Sequence, residues 1–184
     1  GLSGKLEAFH AKPDKFVQRM SLPGIGDMEE GFDGTVGWSL SPLTGPTLLD
    51  GKQLEQRRFD ADFFEALKAG DRYRSITTVE KTTFEGRPAY RIRLVKKAGD
   101  EDIEFYDTET GFKIGAVSTR DSPMGPMQST TTWSDYRKFG SLLQPATTKV
   151  SVMNTQLVMA VTAVEYGKVD PAVFSVPGQI KAII

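Results

Sequence analysis

The chain has 184 residues, with 23 lysines and arginines against 24 acidic residues and no cysteine. This length is typical of a single domain, 1–184, and a net charge of −1 leaves no excess of positive charge for a nucleic-acid partner. The lack of cysteine excludes disulfides, thiolate metal sites and cysteine nucleophiles, and no apolar run approaches the roughly 18 residues of a membrane span.

The N-terminal third alternates in the manner of short strands. The sequence starts abruptly in strand-like residues, which is typical of a domain trimmed at its N-terminus. Proline and glycine between residues 41 and 45 predict that strand pairing stops there. Apolar alternation and turn residues predict four strands, at residues 5–12, 15–22, 27–32 and 35–40.

Residues 50–69 are the one convincing helical passage. Asp50 and Asp60 are placed to cap two successive short helices. Their apolar stripe predicts a lid that packs on the sheet, and it consists of Leu54, Phe59, Phe63, Phe64 and Leu67.

A three-strand meander over residues 84–119 is the clearest pattern in the chain. Its alternation predicts one apolar face and one charged face. A sheet of this kind covers its apolar face with another layer or a ligand, because exposure costs about 25 cal/mol per Å². The predicted apolar face carries Tyr90, Ile92, Leu94, Ile103, Phe105, Phe112, Ile114 and Ala116, and the charged face Arg91, Arg93, Glu104 and Lys113.

The rest of the chain also reads as strands. Residues 73–83, 127–138, 142–153 and 155–166 are predicted to be extended. The last strand is apolar on both faces over residues 157–164 and is predicted to be interior or covered on both sides. Residues 169–174 predict one short helical turn that fixes Phe174 to the sheet. The fold class is therefore α+β, mostly β, with a curved antiparallel sheet.

Residues suited to catalysis are scarce. His10 is the only histidine and lies mid-strand beside Phe9, a setting typical of a structural side chain. One histidine without cysteine cannot form a typical zinc site, and no nucleophile elbow, phosphate loop or H-E-x-x-H motif occurs. The acidic clusters at 60–62 and 100–102 occupy helix-start and turn positions. We therefore predict a protein that is not an enzyme and holds no cofactor or metal. A hydrolase that works through acidic residues would need several carboxylates to converge in one cleft.

Four phrases resemble the LolA/LolB-like fold of lipoprotein carriers. They are GTVGWSLSP at 34–42, FEGRPAY with FYDTETG at 84–90 and 105–111, WSDYRKFG at 133–140 with Leu143 and Pro145, and VDPAVF at 169–174 with Pro177. The resemblance implies an incomplete barrel of about ten or eleven antiparallel strands around lid helices at about 50–69. In the carriers, the enclosed cavity accepts lipid acyl chains. Those folds usually begin with a long helix, whereas this chain begins on a strand.

The resemblance implies a non-enzymatic binding protein of the cell envelope, in the periplasm or associated with the outer membrane. Its partner would be a hydrophobic ligand, a lipid acyl chain or a lipoprotein, with an envelope protein as a further partner. Each candidate lining residue is also an ordinary core residue by type. The candidates are Phe16, Met20, Trp38, Leu54, Phe63, Phe64, Tyr90, Ile92, Ile103, Phe105, Ile114, Trp133 and Met159.

A second hypothesis is an accessory or interaction domain of a secreted peptidase or another envelope enzyme. Such a domain would have a filled core and no ligand. The abrupt start of the sequence favours this alternative.

Overall fold

A computed structural model describes residues 2–64, 67–97, 99–122 and 125–184. The described chain is mostly β, with two open antiparallel sheets and few helices, which confirms the predicted fold class. The chain divides into two compact units, one of residues 1–67 with 167–184 and the other of residues 68–166. The single domain over 1–184 stays a prediction.

The first unit contains the five-stranded sheet. Each strand pairs with its neighbours in sequence. Its helical elements are α1 (Gly51–Ala61), a 3-10 turn (Pro171–Phe174) and α3 (Gly178–Lys181). The helix between them in sequence, α2, belongs to the second unit. The strands are β1, Lys5–Ala11; β2, Lys15–Leu22; β3, Gly26–Phe32; β4, Gly37–Ser41; and β5, Gly45–Leu48.

The second unit contains a seven-stranded sheet and the short helix α2, Ala69–Arg72. This sheet too is a plain meander, in the order β12 to β6. Its strands are β6, Tyr73–Phe84; β7, Arg87–Lys96; β8, Glu101–Asp107; β9, Lys113–Ser122; β10, Gly125–Phe139; β11, Leu142–Val152; and β12, Thr155–Ala160. The twelve described strands divide between two sheets, where the sequence had predicted one sheet of ten or eleven.

A proline does not end strand pairing where the sequence predicted. Residues 45–48 form β5, in which Pro46 lies opposite Leu40 of β4. β5 is an edge strand and pairs only with β4. Proline has no N–H to donate, and an edge strand tolerates this because it has no second neighbour to bond. The prediction that pairing stops at Gly45 is therefore wrong.

The helical passage also differs from its prediction. Asp60 does not start a second helix: α1 continues to Ala61, and the Asp60 carboxylate accepts a 2.9 Å bond from Gln56. Asp50 occupies the N-cap position of α1 but makes no side-chain cap bond. Residues 65 and 66 of the predicted lid lie outside the described residues.

The core of the first unit is centred on Trp38, which is fully buried. It packs with Val17, Phe174 and Ile180, so the predicted anchoring of Phe174 by a helical turn is confirmed. The indole lies over Gly31, where an added Cβ would be 2.2 Å from Trp38 Cζ2. Glycine at position 31 is what lets the ring reach the sheet.

The last strand is not interior. β12 ends at Ala160 and lies at the edge of the seven-stranded sheet, with Leu157 43% and Val158 57% exposed. In a sheet where every strand joins its predecessor, the final strand becomes an edge whatever its composition. The first part of the apolar run, residues 157–160, therefore lies in an exposed edge strand that is neither interior nor covered on both sides.

Candidate functional site

The register of the meander decides which side chains share a face. Arg91 lies opposite Phe105 and Arg93 opposite Ile103, whereas Ile92 lies opposite Glu104. Directly opposed residues in an antiparallel pair project on the same side of the sheet. The prediction of one apolar and one charged face is therefore wrong.

The physical reason is that a shift of one residue in pairing moves every side chain of a strand to the other face. Alternation within each strand was correct, but the alignment between β7 and β8 could not be read from it. Ile103 and Phe105 share a face with arginines, which we call the inner face. Tyr90 and Ile92 lie on the opposite, outer face.

A cleft of about 290 Å³ shows that the seven-stranded sheet curves around its inner face. In a flat sheet, β6 and β12 would be about 29 Å apart, yet Phe84 of β6 and Val158 of β12 line this cleft together. The remaining lining residues are Glu85, Arg87, Ile114, Thr132, Trp133, Ser134, Thr147 and Lys149.

An ion pair bridges the cleft. Lys149 Nζ of β11 lies 3.5 Å from Glu85 Oε2, in the turn between β6 and β7. Both side chains are partly exposed, and surface pairs of this kind contribute about 0 to 1 kcal/mol. Water and dissolved ions compete for both charges, so this ion pair holds the two sides of the cleft together only weakly.

Aromatic rings form one wall of the cleft. Phe84 stacks on Phe105 with centroids 4.2 Å apart, and its ring lies over Gly115. Ala89 is fully buried on the same face as Phe105, between the strands that carry the two rings. Small residues at 89 and 115 leave the space that the stacked pair fills.

Asp107 fixes the turn beside this wall. Its Oδ1 accepts bonds from the backbone N–H groups of Thr110, at 2.8 Å, and Glu109, at 3.1 Å, and from Thr110 Oγ1 at 2.9 Å. Arg87, a cleft residue, lies 2.6 Å from Oδ2. The bonds from Thr110, with smaller contributions from Glu109 and Arg87, lower the pKa of Asp107 from 3.8 to about 2.

This lowered pKa predicts an acid-dependent loss of stability. Because the pKa of the folded state lies below that of the unfolded state, the stabilisation is complete above about pH 4 and is lost as pH falls towards 2. Replacing Asp107 with asparagine should lower the free energy of unfolding at pH 7 and flatten its pH dependence between 4 and 2. Urea unfolding across pH 2 to 7 measures this. A wild-type slope in Asp107→Asn would contradict the assignment.

A second cleft of about 510 Å³ opens at the other end of the inner face. Arg91 and Arg93 line it with Ile103 and Glu101, and Arg91 pairs with Glu80 at 3.1 Å. Its positive and negative charges balance, so we regard it as a polar surface beside the smaller, more apolar cleft.

The outer face carries a polar cluster around Glu104. Tyr106 Oη donates to Glu104 at 2.7 Å, Lys113 pairs with the same carboxylate, and Lys113 Nζ lies 4.8 Å from the centre of the Trp133 ring. Burial and the neighbouring Glu104 raise the pKa of Tyr106. Trp133 is thus shared: it is one of the residues that line the cleft, and its ring contacts the ammonium group of Lys113.

Within the second unit, the predicted lining residues lie on both faces of the sheet. In the first unit, Phe16 and Trp38 are core, Met20 and Leu54 are half-buried, and Phe63 is 48% exposed beside the half-buried Phe64. In the second unit, Ile114 lines the cleft, Phe105 supports its wall, and Ile103 lines the polar cleft. Met159 lies opposite Thr148 on the outer face, the same face of the sheet that carries Tyr90 and Ile92.

Sequence reasoning missed most of the cleft. Phe84, Thr132, Thr147 and Val158 come from strands that are distant in sequence, and only the curvature of the sheet brings them together. One local signal was present: Glu85-Gly86, both at positive φ, forms the tight hairpin turn that aligns Phe84 with Arg87.

Among the described residues, no group of three or more histidine, cysteine or acidic side chains is placed to hold a metal ion. The helices of the described chain include none that is both long and apolar enough to cross a membrane. Within the described residues, the acidic side chains that a hydrolase would need therefore do not form a metal centre.

Comparisons with solved structures identify the fold. A LolA superfamily protein from Nitrosomonas europaea matches with a TM-score of 0.59 and 10% identity, over 94% of this chain and 81% of that one. A putative outer membrane lipoprotein-sorting protein domain from Vibrio parahaemolyticus matches with a TM-score of 0.51 and 12% identity, over 89% of this chain and 79% of that one. No family model and no curated protein matches. The chain thus has the LolA-like fold.

Proposed function

We propose that this protein is a non-enzymatic binding protein of the cell envelope that holds a lipid acyl chain, free or attached to a lipoprotein. The observation that carries the proposal is the cleft on the inner face, which Phe84, Ile114 and Val158 line with apolar surface. Its volume of about 290 Å³ is at the lower limit of the roughly 300 to 1,000 Å³ typical of ligand sites.

The fold supports the same proposal. The two matched structures are named for the LolA superfamily and for lipoprotein sorting. Burial of a hydrocarbon chain needs apolar area and little directional bonding, which agrees with the mainly apolar surface that the cleft exposes. The periplasm or the outer membrane would be the compartment of such a carrier. The part of Phe63 and Phe64 as a lid stays a proposal.

The experiment is native mass spectrometry of the purified protein, followed by organic extraction and lipid analysis. A stoichiometric co-purifying lipid, or a gain in mass when a fatty acid is added, is the expected result. A clean apo mass that added fatty acid does not change would contradict the proposal.

Neighbouring threonines on β11 provide a matched pair of variants for the cleft. Thr147 lines the cleft, and Thr148 lies next to it on the outer face; both are half-buried. Thr147→Asp should weaken binding of a fluorescent fatty acid about tenfold, which corresponds to about 1.4 kcal/mol, because it places a carboxylate beside the hydrocarbon. Thr148→Asp should bind as the wild type does. Equal losses in both variants would count against the cleft.

The first unit favours the second hypothesis, an accessory or interaction domain. α1 packs directly on the sheet, with Leu54 and Ala61 against Phe16 and Phe32. A filled core of this kind needs no ligand. An apo mass together with a stable envelope partner would support this reading.

A further inference from the structure

The four edges of the two sheets differ in how they are protected against pairing with another strand. β1 carries Lys5 and Glu7, and β5 is only four residues long and contains Pro46. β6 has two register shifts and the charges of Glu80 and Lys81. Charge, proline, shortness and irregular pairing are the devices by which proteins block edge strands.

β12 has none of these devices. Its six residues, Thr155–Ala160, carry no charge and no proline, pair with β11 in regular register, and all except Met159 are exposed. A regular, uncharged and exposed edge accepts a further strand readily. This edge lies on the rim of the seven-stranded sheet and is separate from the lining of the cleft except at Val158.

The backbone hydrogen bonds show which residues of β12 point outward. Val161 N–H donates to Ala146 of β11 at 2.8 Å, and the hairpin closes at Val152 and Thr155. Because the direction of the backbone groups alternates along an antiparallel strand, Gln156, Val158 and Ala160 direct their N–H and C=O groups away from β11. Three consecutive outward-facing positions are thus available to a new strand.

We propose that two copies of this chain pair through β12, antiparallel and about a twofold axis at Val158. A second copy is the occupant that β12 itself favours, since β12 against β12 sets uncharged residues opposite uncharged residues. The other described edges present charge, proline or irregular pairing. In this register Gln156 faces Ala160 of the other copy, and Leu157 faces its Met159. All three outward positions are hydrogen-bonded, and apolar side chains meet on the outer face.

This arrangement joins two seven-stranded sheets into one continuous sheet, with both inner faces on the same side. The interface is small, so we expect a weak, concentration-dependent dimer. Sedimentation equilibrium of the full chain over a wide concentration range should show monomer and dimer. Gln156→Pro removes an outward N–H and no backbone bond to β11, and of the side-chain bonds it loses the 3.4 Å contact from Nε2 to Ser151 Oγ at the exposed surface. It should therefore shift the population to monomer while the far-ultraviolet circular dichroism spectrum is retained.

The absence of cysteine allows the register to be tested directly. At the axis, the two Cα atoms of residue 158 would be about 5.5 Å apart, within the range that a disulfide bridges. Val158→Cys should therefore cross-link into dimers in a glutathione redox buffer. Val79→Cys is the matched control, an equally accessible valine on the opposite edge strand, 48% exposed against 57%, and should remain monomeric.

Three outcomes would overturn the proposal. The first is a monomer at every concentration. The second is a dimer that Gln156→Pro leaves unchanged, because the interface would then lie elsewhere. The third is equal cross-linking of the two cysteine variants, because collision would then explain it. Oligomeric state is measured without lipid, so these results are independent of acyl-chain binding.

Discussion

Replacing Trp38 with alanine is expected to lower the free energy of unfolding by about 3 to 5 kcal/mol, the cost typical of removing a large buried aromatic residue. The indole is fully buried among Val17, Phe174 and Ile180, so its loss leaves a cavity bounded by a sheet, a helical turn and α3. It also removes the 3.2 Å hydrogen bond that Trp38 Nε1 donates to the Glu29 carboxylate. Chemical denaturation followed by circular dichroism measures the change.

Trp133 is the control, since it is the other tryptophan of the chain and is half-buried. Trp133→Ala loses a partly solvated ring and its contact with Lys113 and should cost clearly less than Trp38→Ala, because less apolar surface is buried there. Equal destabilisation by the two substitutions would contradict a core centred on Trp38. The comparison also tests the candidate lining, because a core residue at 38 affects stability and leaves acyl-chain affinity in the folded fraction unchanged.

Adding one methyl group at Gly115 is expected to destabilise the second unit by about 1 to 3 kcal/mol, the cost typical of overpacking. A Cβ there would be 2.1 Å from Phe84 Cε1 and 2.3 Å from Cζ. The ring cannot move away without breaking its stack on Phe105. Urea unfolding of Gly115→Ala measures the cost, and a displaced Phe84 should also weaken fatty-acid binding.

Gly70→Ala is the matched control, because nothing lies within 4 Å of an added Cβ in α2 and alanine favours a helix. It should be neutral or slightly stabilising. A double-mutant cycle strengthens the test: in the Gly115→Ala background, Phe84→Ala should cost less than in the wild type, since the clash is relieved. Strict additivity would show that the two sites do not touch.

Local pattern predicted the secondary structure of this protein well and its pairing poorly. The strands β1 and β2 begin and end within a residue of the predicted runs 5–12 and 15–22, because alternation and turn residues are local properties. The face of Arg91 and Arg93 depends on the alignment of β7 with β8, which alternation alone does not determine.

The residues of the candidate site divide in the same way, into those that a single strand reveals and those that depend on how the strands are arranged. Ile114 could be nominated from its strand, whereas Thr147 and Val158 reach the cleft through a curvature that no single strand encodes. The exposure of β12 was missed for a related reason: a run that is apolar on both faces is typical of an inner strand, and only the strand order shows that it is last. Composition alone did not reveal that order.

The way the chain is divided between its two units has a consequence for synthesis on the ribosome. The seven-stranded sheet uses one continuous segment, in which each strand pairs with the strand made just before it, so its contacts are local and can form as the chain emerges. The core around Trp38 instead waits for Phe174 and Ile180, which follow the seven-stranded sheet in the chain. The unit that contains the earlier strands is therefore the one that finishes folding only after the second unit has been made.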